Sequence, residues 1–120
     1  MSKVQSLDQE RAAFAWAHTD PAHIHKYDDF AKLAAGAPAL IMANGLMQTL
    51  AFYRAKNQTS LLKPILEWLA KRVLDTRDDF ERVMAKLHGT DSDSYMRATE
   101  EALELLKWIR QFAKARGAQG

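Results

Sequence analysis

Apolar residues recur three and four positions apart along most of this chain, and strand-like alternation is missing. Ala, Leu, Glu, Lys, Arg, Gln and Met dominate while Val, Ile and Thr are sparse, so the pattern predicts an all-α fold. A first helix is expected over residues 7–17, with Ser6 as its N-cap and Leu7, Phe14 and Trp16 as burial candidates. "HTDPAHIH" breaks it, because Pro21 disfavours helical geometry at Asp20. A short helix over 26–35 follows, ended by Gly36 and Pro38. A third covers 38–56, with Pro38 in the first turn, where its missing N–H costs little. A fourth covers 61–74 with Thr59 or Ser60 as cap, although Pro64, at the end of its opening turn, argues for a later start. Thr76 and Asp79 have the spacing of a capping box for a fifth helix, which His88-Gly89 stops. "TDSDS" offers several caps, and a last helix covers 94–115. The expectation is a single helical domain over 1–120, a bundle of about five to six helices.

Two of these helices stand out. Residues 38–56 are apolar almost all round, with Leu40, Ile41, Met42, Leu46, Met47, Leu50, Phe52 and Tyr53 covering most of the circle. Only a narrow arc of Asn44, Gln48, Ala51 and Ala55 is small or polar. Such a helix is central, and its stripe is either a close helix–helix seam, the favoured reading, or a groove for a ligand. Asn44-Gly45 is a strong hairpin dipeptide, but both flanks keep helical register. It is therefore read as helix interior, where glycine costs about 1 kcal/mol against alanine; of the two compensating reasons, close approach of a neighbouring helix is favoured over that of a nucleic-acid backbone. In the last helix Tyr95, Thr99, Ala102, Leu106, Ile109 and Ala113 form one face, widened by Leu103, Leu105, Trp108 and Phe112. Lys107, Arg110 and Lys114 form a basic ridge beside it.

The uncharged run 33–53 is long enough to span a bilayer. It carries Gly36, Pro38, Asn44, Gly45, Gln48 and Thr49, however, and its apolar residues favour insertion by only tenths of a kcal/mol each; a buried helix is the better reading. With 120 residues, 48% of them hydrophobic and 27% charged, the chain can bury a core without staples. The absence of cysteine excludes disulfides and thiolate metal sites. The first residues hold no apolar signal segment, so a cytoplasmic protein is expected. Net charge is only +2, yet its distribution is uneven. Arg54, Lys56, Lys63, Lys71 and Arg72 face one acid, Glu67, and Lys107, Arg110, Lys114 and Arg116 face none over 105–120. Segregation of this kind marks either a polyanion surface or solvated helix faces.

Candidate chemistry is thin. His18, His23 and His25 lie near Asp20, Asp28 and Asp29, a donor set that suits zinc or iron. Their spacing matches neither a helical i, i+4 pair nor the metalloprotease arrangement, and a polar loop is the better reading. No nucleophile elbow or phosphate loop occurs. Asp28-Asp29, Asp78-Asp79 and Glu100-Glu101 are sequence neighbours that point to different faces, and are read as solvated or helix-terminal charge. No catalytic residue, cofactor site or metal site is assigned. Arg54 and Lys56 beside Phe52 and Tyr53 would suit single-stranded nucleic acid, although core is the better reading for both rings.

"LAAGAPALIMANGLMQTLAFYRAK" (33–56) and "RATEEALELLKWIRQFAKA" (97–115), with an N-terminal helix around "RAAFAW", together resemble the small subunit of the type III-B CRISPR RNA-guided effector, the Cmr complex. The resemblance covers most of the chain and is weakest in the loops and over 57–93. It implies a non-catalytic, all-helical protein whose copies line up along the ribonucleoprotein. The guide-binding backbone subunit would lie beside them, and target RNA paired to guide RNA would be held in the groove between. Asn44, Gly45, Leu46, Gln48, Thr49, Leu50 and Phe52 match the central motif, without separating fold-keeping positions from RNA-facing ones. Gln48, Arg54 and Lys56 are the first RNA-binding candidates, and Lys107, Arg110 and Lys114 the second. With so small a net charge the free chain is expected to be monomeric and to bind RNA weakly. The alternative is a stand-alone helical adaptor for a protein partner; a helical metalloenzyme built on the histidine loop ranks third.

Overall fold

The computed structural model describes residues 4–117, and in them the chain is all helix, turn and loop, with no strand. Helix α1 spans Leu7–Ala17, α2 Tyr27–Asn44, α3 Leu46–Ala55, α4 Thr59–Leu69, α5 Phe80–Gly89 and α6 Ser92–Gly117. A 3₁₀ turn at Pro21–His23 separates α1 from α2, and a π-helical segment, Ala70–Leu74, extends α4. The molecule measures 45 × 44 × 23 Å, about two helix diameters thick. No helix among the described residues is long and apolar enough to cross a membrane.

Local signals set several ends. Ser6 caps α1 through a complete capping box: its Oγ accepts from the Gln9 N–H at 3.1 Å, and Gln9 Oε1 accepts from the Ser6 N–H at 2.8 Å. Asp79 alone caps α5, accepting from the Arg82 N–H at 2.9 Å, so the expected box with Thr76 does not form. Asp91 Oδ1 accepts from the Ser94 N–H at 2.7 Å where α6 starts. The Ser94 N–H, followed by the Ser94 hydroxyl, holds the Asp91 carboxyl below its ordinary range. Helix α4 begins at Thr59 with Gln58, not Thr59 or Ser60, at the N-cap, and Pro64 lies inside it.

The largest departure from the expected elements concerns α2 and α3. Gly36 and Pro38 do not end α2; the helix runs through both. An interior proline costs about 3 kcal/mol. Against this, Phe30, Ala34, Ala37 and Ile41 are buried at i, i+4, i+7 and i+11, a stripe that continues across the Gly–Pro pair. Burying the Phe30 and Ile41 side chains alone contributes about 3–6 kcal/mol. Helix α2 packs most extensively on α6, whose buried face is Ala98, Ala102, Leu105, Leu106, Ile109 and Ala113. Alanines on both faces suit close approach.

The chain breaks instead at Gly45, where φ is 88° and ψ 162°. This region is essentially reserved for glycine, so residues 38–56 are not one helix and the chain breaks at Gly45. The Gly45 N–H still closes α2 onto the Ile41 carbonyl at 2.8 Å, and the Gly45 carbonyl opens α3 by accepting from Thr49. Glycine has no side chain with which to cap α3. Tyr95 of α6 fills that role: its Oη accepts from the Met47 N–H at 3.1 Å.

Candidate nucleic-acid interface

The Gly45 break turns what would be a convex helix surface into a corner. Leu40 and Asn44 at the end of α2, with Gln48, Thr49 and Phe52 of α3, line a shallow depression of about 270 Å³ there. Asn44 and Gln48 are exposed, so the small-polar stripe is open surface and not the expected helix–helix seam. Phe52 and Tyr53, both assigned to the core from the sequence, part company. Tyr53 is fully buried, whereas Phe52 is 48% exposed. Consecutive helical residues point roughly 100° apart, and at this place only one of those directions meets the core. The central motif thereby sorts into buried positions, Leu46, Thr49 and Leu50, and surface positions, Asn44, Gln48 and Phe52. The Thr49 hydroxyl is spent on the Gly45 carbonyl at 2.9 Å.

All six RNA-binding candidates are exposed, but they do not form one patch. Gln48, Phe52 and Lys56 lie at i, i+4 and i+8, along one side of α3 and its C-cap. Arg54 is six positions from Gln48, roughly 120° around the helix. Its guanidinium sits 5.6 Å from the centre of the Phe80 ring on α5. Lys107 pairs with Glu104 at 2.6 Å, and with Asp8 and Trp108 both residues border a second shallow depression. The Asp8 carboxyl is held below its ordinary value, first by the Trp108 N–H at 3.0 Å and then by Arg11. The positive field at that end of the ridge is therefore partly cancelled, and only Arg110 and Lys114 project from it without an ion pair among the described residues.

Charge separates the two patches further. Between Asp29 and Glu67 the chain has no acidic residue, while Lys32, Arg54, Lys56 and Lys63 occur there. That acid-free segment comprises most of α2, all of α3 and the first part of α4, and α2 and α3 are the elements that build the Gly45 corner.

Other groups singled out from the sequence have structural roles. His18 stacks on Phe14, with ring centres 4.1 Å apart, and its Nδ1 lies 2.8 Å from the Phe14 carbonyl. His23 is exposed, and no three His, Cys, Asp or Glu side chains among the described residues converge as metal ligands would. Leu7 and Trp16, expected in the core, are 43% and 51% exposed; Ala15 is the residue α1 buries completely. Trp16 is covered on one side by the Arg116 guanidinium, 3.6 Å from its ring centre, and meets the Phe112 ring edge-on.

Glu101 corrects the reading of the acid pairs most sharply. It is not solvated: it accepts two hydrogen bonds from Arg11, at 2.6 and 2.8 Å, and one from the Trp68 indole N–H at 2.9 Å. Both charged side chains are only 13% exposed. The Arg11 bonds hold the Glu101 carboxyl below its ordinary range and drive the Arg11 pKa up. Arg72 packs over Trp68 and pairs with Glu10, so α1, α4 and α6 share one network. Nothing in local sequence could reveal it, because Arg11 and Glu101 are 90 positions apart.

The Cas_Cmr5 family model, described as CRISPR-associated protein, matches residues 7–116. The chain belongs to this family. The resemblance carried by the two long helical motifs is thereby established, and the protein is a Cmr small subunit of CRISPR defence. A curated relative, the CRISPR system Cmr subunit Cmr5 of Thermotoga maritima, is 26% identical over 111 residues, which span 91% of this chain and 83% of that protein. The crystal structure of a CRISPR-associated Cmr5 family protein from Thermus thermophilus superposes with a TM-score of 0.75 at 22% identity. The match covers 92% of this chain and 97% of the other, and shows that the two share a fold. Arg11 and Glu101, which come from opposite ends of the matched span, are thus a tie within the Cas_Cmr5 bundle.

Proposed function

We propose that this Cas_Cmr5 chain is a non-catalytic subunit that lines the groove holding target RNA paired to guide RNA. Further copies of itself and the guide-binding backbone subunit would be its neighbours. The observation that carries this reading is the segment 30–66, from α2 after its first turn through α3 into α4, which has no acidic residue, with Gln48, Phe52 and Lys56 exposed along one side of α3. A duplex in the groove is an array of phosphates, and cations on a segment that carries no carboxylate of its own take it up with release of counterions. Sequence is then read by base pairing to the guide, and the protein needs only to follow the backbone. Lys56 leads this contact and Arg54 flanks it from the α5 side, while Arg110 and Lys114 form a separate, weaker basic surface on α6.

Reversing charge at Lys56 and Arg54 together tests the reading. In the assembled complex, target-RNA affinity should fall and its dependence on salt should flatten by about one phosphate contact per lost cation. Unchanged affinity and slope would remove this surface from the groove. The same substitutions at Arg110 and Lys114 are expected to have the smaller effect.

A further inference from the structure

The depression at the Gly45 corner has more chemistry than a phosphate track needs. We propose that it receives an unpaired nucleobase of the bound RNA, stacked on Phe52; this rests on the RNA-groove reading above. Phe52 is the large aromatic that α3 leaves half in solvent. Its ring partner among the described residues is Tyr53, 6.0 Å away and tilted by 54°, so no other ring stacks flat against it. Beside it Leu40 supplies an apolar wall, and Asn44 and Gln48 bring two side-chain amides. Neither amide forms a hydrogen bond within the described residues. Each offers donors and an acceptor, the complement of a base edge, and because an amide can turn end for end the pair tolerates any base. At about 270 Å³ the space suits one ring system and lies below the range of drug-sized ligand pockets.

Charge selects the occupant. An aromatic or aliphatic side chain of a protein partner would fit the apolar part equally well. However, Lys56 stands one helical turn beyond Phe52, and no carboxylate occurs anywhere between Asp29 and Glu67. A base entering the depression brings its own phosphate within the field of that cation, which is how stacking and backbone contacts combine in single-strand binders. Paired bases have no free face, so the ligand is a nucleotide left out of the guide–target helix or extruded from it.

The test uses the reconstituted complex and a target RNA carrying 4-thiouridine at successive positions. Affinity is measured across a salt series for wild type, Phe52→Ala, Phe52→Leu, Phe52→Trp and Lys56→Glu. Phe52→Ala and Phe52→Leu should each weaken target binding roughly five- to a hundredfold with the salt slope unchanged, and Phe52→Trp should keep wild-type affinity. Crosslinks should map to the peptide bearing residues 44–52, at particular thiouridine positions. Full affinity in Phe52→Leu would overturn stacking in favour of simple apolar packing. Loss of complex assembly by folded Phe52→Ala would overturn it in favour of a protein-docking surface. If only Lys56→Glu weakens binding and flattens the slope, the groove reading stands and the base site falls. If the Phe52 variants weaken binding while Lys56→Glu does not, the base site stands and the phosphate contact falls.

Discussion

Replacing Gly45 and Gly36 separately by alanine separates a chain break from a helical glycine. At Gly45 the backbone sits at φ 88° and ψ 162°, where a residue with a Cβ is strained by about 1–3 kcal/mol. The new methyl would meet its nearest neighbour, Tyr95 Oη, at 3.8 Å, an ordinary contact, so strain is the whole folded-state cost. Alanine also restricts the unfolded chain, which returns about 0.4–1 kcal/mol. The net loss is therefore up to about 2.6 kcal/mol. Gly36 is different: it is exposed inside α2, its φ is not positive, and nothing lies within 4 Å of an added Cβ. Alanine there should stabilise by about 0.5–1 kcal/mol through helix propensity. At about 4 °C per kcal/mol for a domain of this size, Tm should drop by up to about 10 °C in Gly45→Ala and rise by about 2–4 °C in Gly36→Ala. Thermal and urea unfolding followed by helical circular dichroism measures both, with an unchanged m-value showing that stability alone has moved. A rise in Tm for Gly45→Ala would mean that Gly45 is helix interior after all, and would dissolve the corner on which the interface is built.

Glu101→Gln should destabilise by about 2–3 kcal/mol, less than a fully buried pair would lose, because Arg11 stays charged at 13% exposure with only the more exposed Asp8 carboxylate, 3.2 Å away, as an ionic partner. The Glu101 carboxyl is depressed in the folded state, so its contribution is complete above the ordinary carboxylate pKa and is lost as pH falls through the depressed one. Wild type should accordingly lose stability below about pH 4.5 more steeply than the Gln variant; parallel pH profiles would place the charge network outside the stability balance. Tyr53→Phe should be neutral or stabilising by up to about 1 kcal/mol, since the Tyr53 hydroxyl is buried with no hydrogen-bond partner among the described residues. A loss greater than about 1 kcal/mol in urea unfolding would reveal a partner for that hydroxyl.

The features legible in the sequence are those set by a few neighbouring residues. Ser6 and Gln9 form a capping box wherever they meet the start of a helix, and the three-and-four spacing of α6 marks its buried face regardless of what covers it. The two long motifs identify the family because each is a run of such local choices. Other features depended on what lies opposite. Pro38 could remain in α2 only because Ala34, Ala37 and Ile41 are covered by another helix, whose packing outweighs the lost backbone bond. The Asn44-Gly45 dipeptide did mark a break, at Gly45 alone and not as a hairpin, but its apolar flanks imitated a continuous helix. The choice fell to tertiary contacts, among them the Tyr95 hydroxyl that replaces the missing cap on α3. The sequence by itself thus determined the helical class, several helix ends and the family. Tertiary structure decided which aromatic of Phe52-Tyr53 faces solvent, that Glu101 is tied and not solvated, and that the candidate basic residues occupy separate surfaces. Periodicity records how residues are spaced around their own helix, whereas burial and pairing depend on groups that the fold brings from as far as 90 positions away.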